Sequence, residues 1–424
     1  MQQDTSNNRK RFIAWLVIGA VALFVLWRAS WVMGPLRKIE IAGPSMAPTL
    51  VGRHQLVNCS DCNFSFRAVA NNEDELVCPN CGQKLSATGH ERRQADQVWI
   101  DRLPYRLRSP GRWELVAFRD PLDLTQLAVK RIIGRGSEQV TIDEGDIYID
   151  GNIASKALAQ LQQVAVLVHD DRFRAKSQKQ NSRWQADRKD SEWIDAEGKW
   201  TLESKMRKHK PDWLTYAHRT SMAVSGMAQR PAPVSDHYGI NQSVSRATNV
   251  VRDLYFRGRI QFQRSQGEIL ISIHDTRDRY TANWNVRRNM VTLTSNGAHL
   301  ARHSVRPKGG RLELHFAVCD RRLLLKIGEQ RFPPTELQPG DGPIQPTTQP
   351  VSIGVNGNVG LTIDGLQLWR DLHYLNQFGE SRQRFARTNK DQLIVLGDNV
   401  PISKDSRQWS VVLSRQNVVG QVMP

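Results

Sequence analysis

Short segments in which apolar and polar residues alternate recur along most of this chain, bounded by Gly and Pro. Examples are VWIDRL, WELVAFR and VTIDEGDIYIDG before residue 152, and RIQFQ, EILISIHD and MVTLTS further on. Alternation with a period of two is typical of half-buried β-strands. We therefore expect a mainly β fold. With 424 residues, the chain is long enough for about three domains.

One segment near the N-terminus is apolar throughout. The run FIAWLVIGAVALFVLW (residues 12–27), extended to residue 33, is long enough to cross about 30 Å of hydrocarbon. We predict a single transmembrane anchor over residues 12–33 behind a basic tail, residues 1–11. A cleaved secretory signal is the alternative, but the run is longer than most signal cores and no small-residue cleavage site follows. Basic residues flank the run on both sides, so charge counting does not set its orientation.

The charge balance limits the classes of partner. The net charge of +17 suits polyanions or an anionic membrane face, and by itself does not choose between them. Apolar residues at 39% and charged residues at 24% are ordinary for a globular protein. This composition excludes a disordered chain and a membrane protein with many spans.

Four of the five cysteines lie in two CxxC pairs. This spacing is that of two knuckles whose thiolates close one tetrahedral metal site, and Gly82 supplies a residue free to take positive φ after the second pair. We predict a zinc ribbon over residues 58–95 with a structural zinc ion, and two disulfides in an oxidising compartment are the alternative. The predicted ligands are Cys59, Cys62, Cys78 and Cys81. Cys319, in a strand-like run, is interpreted as an ordinary buried thiol.

Between residues 156 and 388 the chain changes character, from a charged stretch to regularly spaced short strands. The segments RLELHFAVCDRRLLLKIGEQRF and GLTIDGLQLWRDLHY resemble a concanavalin-like or laminin-G-like jelly roll. The resemblance implies an antiparallel β-sandwich over 156–388, although a fold of this kind does not establish a ligand. We expect this segment to be a self-contained domain, which a short Gly/Ser linker could replace while the rest of the chain keeps its structure and function.

Three short segments carry residues of catalytic type. They are GPSMAPT (43–49), KRIIG (130–134) and GDN (397–399), the last followed by SKDSR (403–407). Taken alone, each segment has an ordinary structural interpretation: the first is a turn, the second a charged residue at a strand end, and the third a loop. In this order they resemble type I signal peptidase, a membrane-anchored Ser/Lys protease that removes export signals. The resemblance covers about residues 10–152 and 390–424.

That resemblance implies a catalytic β-domain formed by residues 39–152 with 389–424, into which the ribbon and the sandwich are inserted. It makes Ser45 the nucleophile and Lys130 the general base. The chemistry supports the same roles, because a serine hydroxyl needs a neighbouring base that is neutral near the operating pH. Burial in an apolar pocket can lower the pKa of a lysine by about 3 to 5 units. Apolar residues surround Lys130 in the sequence, and no histidine has an obvious catalytic setting.

The resemblance also implies supporting roles for residues near the C-terminus. Ser403 would orient the lysine amine, Asp405 and Arg407 would form a structural ion pair, and Asp398 would be an acidic residue of the same region. The backbone N–H of Ser45 would donate to the oxyanion. Gly43 stands where some members have a serine, so a side-chain donor is absent there. Val400, Ile402 and the run Arg135-Gly136-Ser137 depart from the family pattern.

The leading hypothesis is a membrane-bound endopeptidase that cleaves exported preproteins after small residues at −1 and −3. Its catalytic domain would lie on the outer side of the inner membrane. One alternative is a catalytically inactive, membrane-anchored protein whose sandwich binds a glycan or another envelope component. Another is a dedicated processing peptidase with a narrow set of clients. The expected partners are preproteins and the membrane, with no nucleic acid and no catalytic cofactor.

Overall fold

We describe the fold from a computed structural model. It describes residues 13–25, 27, 34–69, 75–176, 182–196, 198–204, 210–221, 229–338, 340, 343–375 and 382–423. Residues 13–25 are helical (α1). Two short helices follow, α2 (Pro104–Leu107) and α3 (Leu158–Val164). All other regular structure is β apart from a short 3₁₀ turn, so the predicted mainly β class is confirmed.

The strands of the described residues are, in chain order, β1 Leu36–Glu40, β2 His54–Asn58, β3 Ser65–Ala68, β4 Glu75–Val77, β5 Lys84–Ser86, β6 Glu91–Arg93, β7 Gln97–Asp101, β8 Leu115–Asp120, β9 Asp123–Gly134, β10 Val140–Asp143, β11 Asp146–Ile149, β12 Asn152–Ile153, β13 Val166–Asp170, β14 Trp184–Ala186, β15 Trp193–Ala196, β16 Lys199–Ser204, β17 Asp212–Tyr216, β18 Leu254–His274, β19 Arg279–Asn285, β20 Met290–Ser295, β21 Ala298–Ser304, β22 Arg311–Cys319, β23 Arg322–Ile327, β24 Gln330–Arg331, β25 Thr335–Glu336, β26 Val351–Arg370, β27 Arg382–Arg384, β28 Gln392–Leu396, β29 Leu413–Ser414 and β30 Val418–Met423.

The predicted anchor lies partly outside the described residues, and the basic tail lies outside them entirely. Helix α1 exposes its apolar side chains, for example Trp15 and Leu23 at 72% and 70%. No helix in the described ranges is both long and apolar enough to span a membrane.

A seven-stranded antiparallel sheet of order β1-β7-β30-β8-β9-β28-β29 unites the N-terminal and C-terminal parts of the chain. Strands β8 and β9 lie in its middle, and the apolar residues of β8 and of β9 from Val129 onward are buried on both faces. Ala117 and Val129 pack into one cluster, whereas Val116, Phe118 and Ile132 pack into another. Because this region is buried on both sides, Lys130 on β9 is held in a low-dielectric environment.

The strands from β13 to β26 form a second, fourteen-stranded network. Its centre is the long antiparallel pair β18 and β26, which remain in register over most of their length with two irregularities. Inward-facing Trp, Leu, Ile and Phe side chains of these strands and their neighbours form a large buried cluster. The four cysteines lie apart from both sheets, beside the small sheets β3-β2-β6 and β4-β5.

Another hydrophobic cluster crosses the boundary predicted at residue 156. It combines Ala47 and Val51 beside the predicted nucleophile with Tyr238, Ile240 and other residues of the 156–388 segment. An ion pair crosses the same boundary, since Arg252 Nη2 of the insertion lies 2.9 Å from Glu144 Oε2. Lys156, at the boundary itself, is buried, and its ammonium lies 2.9 Å from Asp320 and 2.8 Å from Asp371 of the insertion. This shared packing argues against the expectation that the insertion is self-contained.

Candidate active site

Ser45 lies on a compact turn directly after β1. The turn is closed by backbone bonds from Ala47 N to Pro44 O and from Leu50 N to Met46 O, both 3.0 Å long. Met46 and Leu50 are buried in the cluster below the seven-stranded sheet, whereas Ala47 is buried in the cluster that crosses to the insertion. Two separate cores therefore fix the turn, while Ser45 itself remains partly exposed.

Lys130 reaches this turn from the middle of β9. Its ammonium nitrogen Nζ donates a 2.6 Å hydrogen bond to Ser45 Oγ. Lys130 is only 5% exposed. The structure therefore brings together the two residues predicted as nucleophile and base, although they are 85 positions apart in the sequence.

Burial lowers the pKa of Lys130 to about 8. Loss of hydration disfavours the ammonium form and outweighs the opposite effect of the nearby Asp405 and Asp398 carboxylates, which raise the pKa. A lysine with this pKa is neutral in about one molecule in eleven at pH 7 and in most molecules above pH 9. It can therefore serve as a base at moderately alkaline pH.

Asp398 is bound by partners other than the lysine. Arg131 donates to it through Nε at 2.8 Å and Nη2 at 2.5 Å, and Thr49 Oγ1 donates at 2.5 Å. Both members of the Asp398–Arg131 ion pair are buried. The carboxylate thus joins the turn of Ser45 to β9, which is a structural role.

The loop 397–407 is held by a second buried ion pair. Arg407 contacts Asp405 through two 2.8 Å bonds, and Asp405 also accepts the backbone N–H of Gly397 at 2.9 Å. Ser403 is fully buried on this loop, with its N–H bound to Asn399 O. A Cβ atom added to Gly397 would lie 2.1 Å from Ser403 Oγ and 2.5 Å from Ser45 O. Position 397 therefore requires glycine so that Ser403 can approach the nucleophile turn.

The four predicted metal ligands come together in a buried cluster of their own. Their sulfur atoms all lie within 4.8 Å of one another, including Cys59 to Cys81 at 3.6 Å and Cys62 to Cys78 at 3.7 Å. A tetrahedron with zinc–sulfur bonds of about 2.3 Å has sulfur–sulfur edges of about 3.8 Å. All four thiols are free and buried. The donor set and its spacing fit a zinc ion.

Several residues at the site were not singled out from the sequence. Thr49 and Asn399 stand inside the quoted motifs GPSMAPT and GDN, so the motifs contained a signal for them. No sequence signal pointed to Tyr238 and Asn241, because they lie in the insertion, outside the quoted motifs. Tyr238 donates to Asp398 O at 2.7 Å. Asn241 exchanges side-chain bonds with Asn399 at 2.7 and 2.9 Å.

Comparison with known proteins gives two matches, and both are to signal peptidases. The family model described as signal peptidase, peptidase S26 matches residues 82–204, a range that includes Lys130. A probable signal peptidase I-2 of Synechocystis is 34% identical over 64 residues. These matches support a signal peptidase family. The aligned part is 14% of this chain and 29% of the Synechocystis protein, so the chain matches well under half of that relative's length.

Solved structures of low similarity match a larger part of the chain. A carbohydrate-binding module CBM66 from Bacillus subtilis is 10% identical, with a TM-score of 0.29, and the match covers 44% of this chain and 94% of that one. A B. subtilis protein with a galectin-like fold is 4% identical, with a TM-score of 0.32, and the match covers 49% of this chain and 97% of that one. The Caenorhabditis elegans galectin LEC-6 is 11% identical, with a TM-score of 0.23, and the match covers 41% of this chain and 98% of that one. At these scores the similarity does not assign a ligand.

Proposed function

We propose that this protein is a Ser/Lys endopeptidase that removes signal peptides from exported preproteins. The observation that carries the proposal is the 2.6 Å bond between Ser45 Oγ and a lysine whose pKa burial lowers to about 8. The family matches support peptidase chemistry. Cleavage after small residues at −1 and −3 follows from the resemblance to type I signal peptidases.

In the acylation step, neutral Lys130 accepts the proton of Ser45 Oγ as the oxygen attacks the scissile carbonyl carbon. The resulting tetrahedral intermediate carries its negative charge on the former carbonyl oxygen. When the C–N bond breaks, the lysine ammonium returns the proton to the leaving amine and an acyl-enzyme remains. In deacylation, Lys130 takes a proton from water as the water oxygen attacks the ester carbonyl. When the C–Oγ bond breaks, the lysine ammonium returns the proton to Ser45 Oγ, which restores the hydroxyl and the neutral lysine.

In this proposal the N–H of Ser45 donates to that oxyanion. Within the described part of the chain it donates to no other acceptor. Removing one oxyanion donor costs about 10² to 10³ in kcat in a comparable site. Gly43 offers no side chain as a second donor, and an added Cβ at that position meets no atom within 4 Å.

The remaining parts of the chain fit the same function. Residues 12–33 would anchor the enzyme in the inner membrane, with the catalytic domain on the outer side, where preproteins emerge. Zinc at the four cysteines would stabilise the ribbon and take no part in the chemistry, since its ligands are buried and separate from the dyad.

The test is cleavage of a purified preprotein by the full chain. We expect Ser45→Ala and Lys130→Ala each to abolish cleavage and the double variant to be no slower, because members of a catalytic unit act together. Thr125→Ala, on the exposed part of β9, is the control and should keep wild-type activity. Substantial cleavage by Ser45→Ala protein would contradict the proposal.

A further inference from the structure

Asn241 lies next to the catalytic turn although it belongs to the inserted segment. It is 5% exposed, and its partner Asn399 is completely buried. Asn241 Nδ2 donates to Asn399 Oδ1 at 2.7 Å, and Asn399 Nδ2 donates to Asn241 Oδ1 at 2.9 Å. Two buried amides therefore satisfy each other through a reciprocal pair of hydrogen bonds.

The second hydrogen of Asn399 Nδ2 is used on the nucleophile turn. It is donated to Pro44 O at 3.0 Å, and the backbone N–H of Asn399 donates to Ser45 O at 3.1 Å. Both hydrogens of the amide are thus bound, one to Asn241 and one to Pro44. This fixes the orientation of the Asn399 side chain, because rotating it would break both bonds.

The contact with Pro44 O contributes to the direction of the proposed oxyanion donor, together with the bond that the same oxygen accepts from Ala47 N at 3.0 Å. Pro44 C=O and Ser45 N–H belong to one planar peptide group, in which they point in opposite directions. A side chain that fixes the carbonyl oxygen therefore also fixes the N–H. Asn399 thus holds the Ser45 N–H in place from the far side of the peptide plane.

Asn241 is itself firmly held by its neighbours in the segment 238–242, which we call the strap. Tyr238 Oη donates to Asp398 O at 2.7 Å, and Ile240 O accepts from Val69 N at 2.9 Å. Gln242 accepts from Val77 N at 3.0 Å and donates to Val77 O at 3.2 Å. The strap is therefore bound to the loop 397–407 on one side and to the cysteine ribbon on the other.

We propose that Asn241 is a positioning residue, which acts through Asn399 to aim the backbone N–H of Ser45 at the oxyanion. This inference depends on the proposed peptidase activity. It gives the insertion a role in the chemical step. Because the N–H acts on the transition state, loss of its alignment lowers kcat and leaves substrate binding unchanged.

The experiment measures kcat and KM of the full-length chain on a peptide with small residues at −1 and −3. Asn241→Leu removes both amide contacts. We expect kcat to fall about 10- to 100-fold, part of the loss seen when an oxyanion donor is removed, with KM within about twofold. Gln367→Leu is the matched control. It removes another buried amide of the insertion, bound to Asp170 at 2.7 Å, and should keep the wild-type kcat.

A double-variant cycle separates positioning from a general structural effect. Since Asn241 acts through Asn399, Asn241→Leu combined with Asn399→Leu should be no slower than Asn399→Leu alone. Losses that multiply, a change confined to KM, or a wild-type kcat for Asn241→Leu would each overturn the inference. If the leucine variant does not fold, Asn241→Ser is measured in the same way. Retained cleavage by Ser45→Ala would instead reject the peptidase function itself.

Discussion

At the scale of single residues, the decisive property of the site is the protonation of Lys130. A free lysine, with a pKa near 10.4, is almost fully charged at neutral pH. Here burial lowers the pKa to about 8, against the attraction of Asp405 and Asp398. The unfolded chain therefore binds more protons than the folded chain between about pH 8 and 10.5. The cost of burying this group is therefore fully present below about pH 8 and is removed as the pH rises through that range, so stability increases there.

The pH dependence of cleavage tests this protonation directly. We predict that kcat/KM rises with pH along a limb with an apparent pKa of about 8, because only neutral Lys130 can accept the serine proton. Asp120 raises the pKa of Lys130 through space. Asp120→Asn should therefore move the limb to lower pH while activity at high pH is kept. The measurement is a rate profile from pH 6 to 10.

Replacing histidines provides the control for that profile. His54→Gln and His90→Gln should leave the limb in place, since neither residue contacts Ser45 or Lys130 in the described structure. A limb that disappears in either variant would show that the base had been misidentified.

What could be predicted from the sequence differs between residues. Ser45 and Lys130 were predicted because each stands in a short motif whose order along the chain is informative. Asn241 and Tyr238 could not be predicted, since nothing in the pattern around them indicates that the insertion folds back to residues 397–407. Their contacts depend on tertiary packing between segments about 160 positions apart, and local sequence carries no signal for such packing.

At the scale of elements, the two CxxC turns have matching backbone geometry. Cys59 N donates to Phe64 O and Cys78 N donates to Gln83 O, both at 2.9 Å. The fifth residue of each turn has positive φ, 60° at Asn63 and 78° at Gly82. The positive φ of Gly82 was predicted from the sequence. Asn63 takes the same left-handed conformation in the first turn, because asparagine is among the residues that tolerate positive φ best after glycine.

This geometry predicts one zinc ion per chain. Replacing Cys62 by Ser should abolish zinc binding and loosen residues 75–86, because metal binding supplies folding free energy to small sites of this kind. Cys319→Ser, in a buried thiol far along the chain, should retain the metal. Elemental analysis and hydrogen exchange are the measurements. Two disulfides without metal, found by mass spectrometry, would reverse the assignment.

The alternation of apolar residues predicted that most elements are strands. It did not predict how the strands pair or which hydrophobic clusters their side chains join. Strand β9 shows why. Its second half is buried on both faces, so AVKRIIG reads as a nearly continuous apolar run around two charges. The environment that lowers the pKa of Lys130 comes from the two neighbouring strands and from the clusters above and below them. It is therefore a property of the assembled sheet.

At the scale of the whole molecule, the part of the chain proposed to be catalytic and the 156–388 segment share one hydrophobic cluster. Six of its seventeen buried residues come from the 156–388 segment, namely Val164, Val166, Tyr238, Ile240, Leu372 and Tyr374. Burying side chains of this size contributes on the order of 10 kcal/mol in total. Such a contribution is comparable with the net stability of a typical domain, about 5 to 15 kcal/mol. The 156–388 segment therefore contributes substantially to the packing beside the Ser45 turn.

Replacing residues 156–388 by a Gly/Ser linker should consequently destabilise the remaining chain and abolish cleavage of a model peptide. The sequence alone had favoured the opposite outcome. A finer comparison uses two substitutions that remove the same atoms. Ile240 belongs to the shared cluster and Ile273 to the core of the fourteen-stranded network. Each change to alanine should cost about 2 to 5 kcal/mol of stability.

Only Ile240→Ala should also lower kcat at a temperature where both variants are fully folded. The reason is that Ile240 packs in one cluster with Ala47 and Val51, and it is the neighbour of Asn241 in the strap. Thermal unfolding gives the stability change of each variant, and peptide cleavage gives kcat. A linker variant that unfolds cooperatively and cleaves at the wild-type rate would show that the shared cluster is dispensable. Equal kcat for the two alanine variants would show that the cluster stabilises the fold without aligning Ser45.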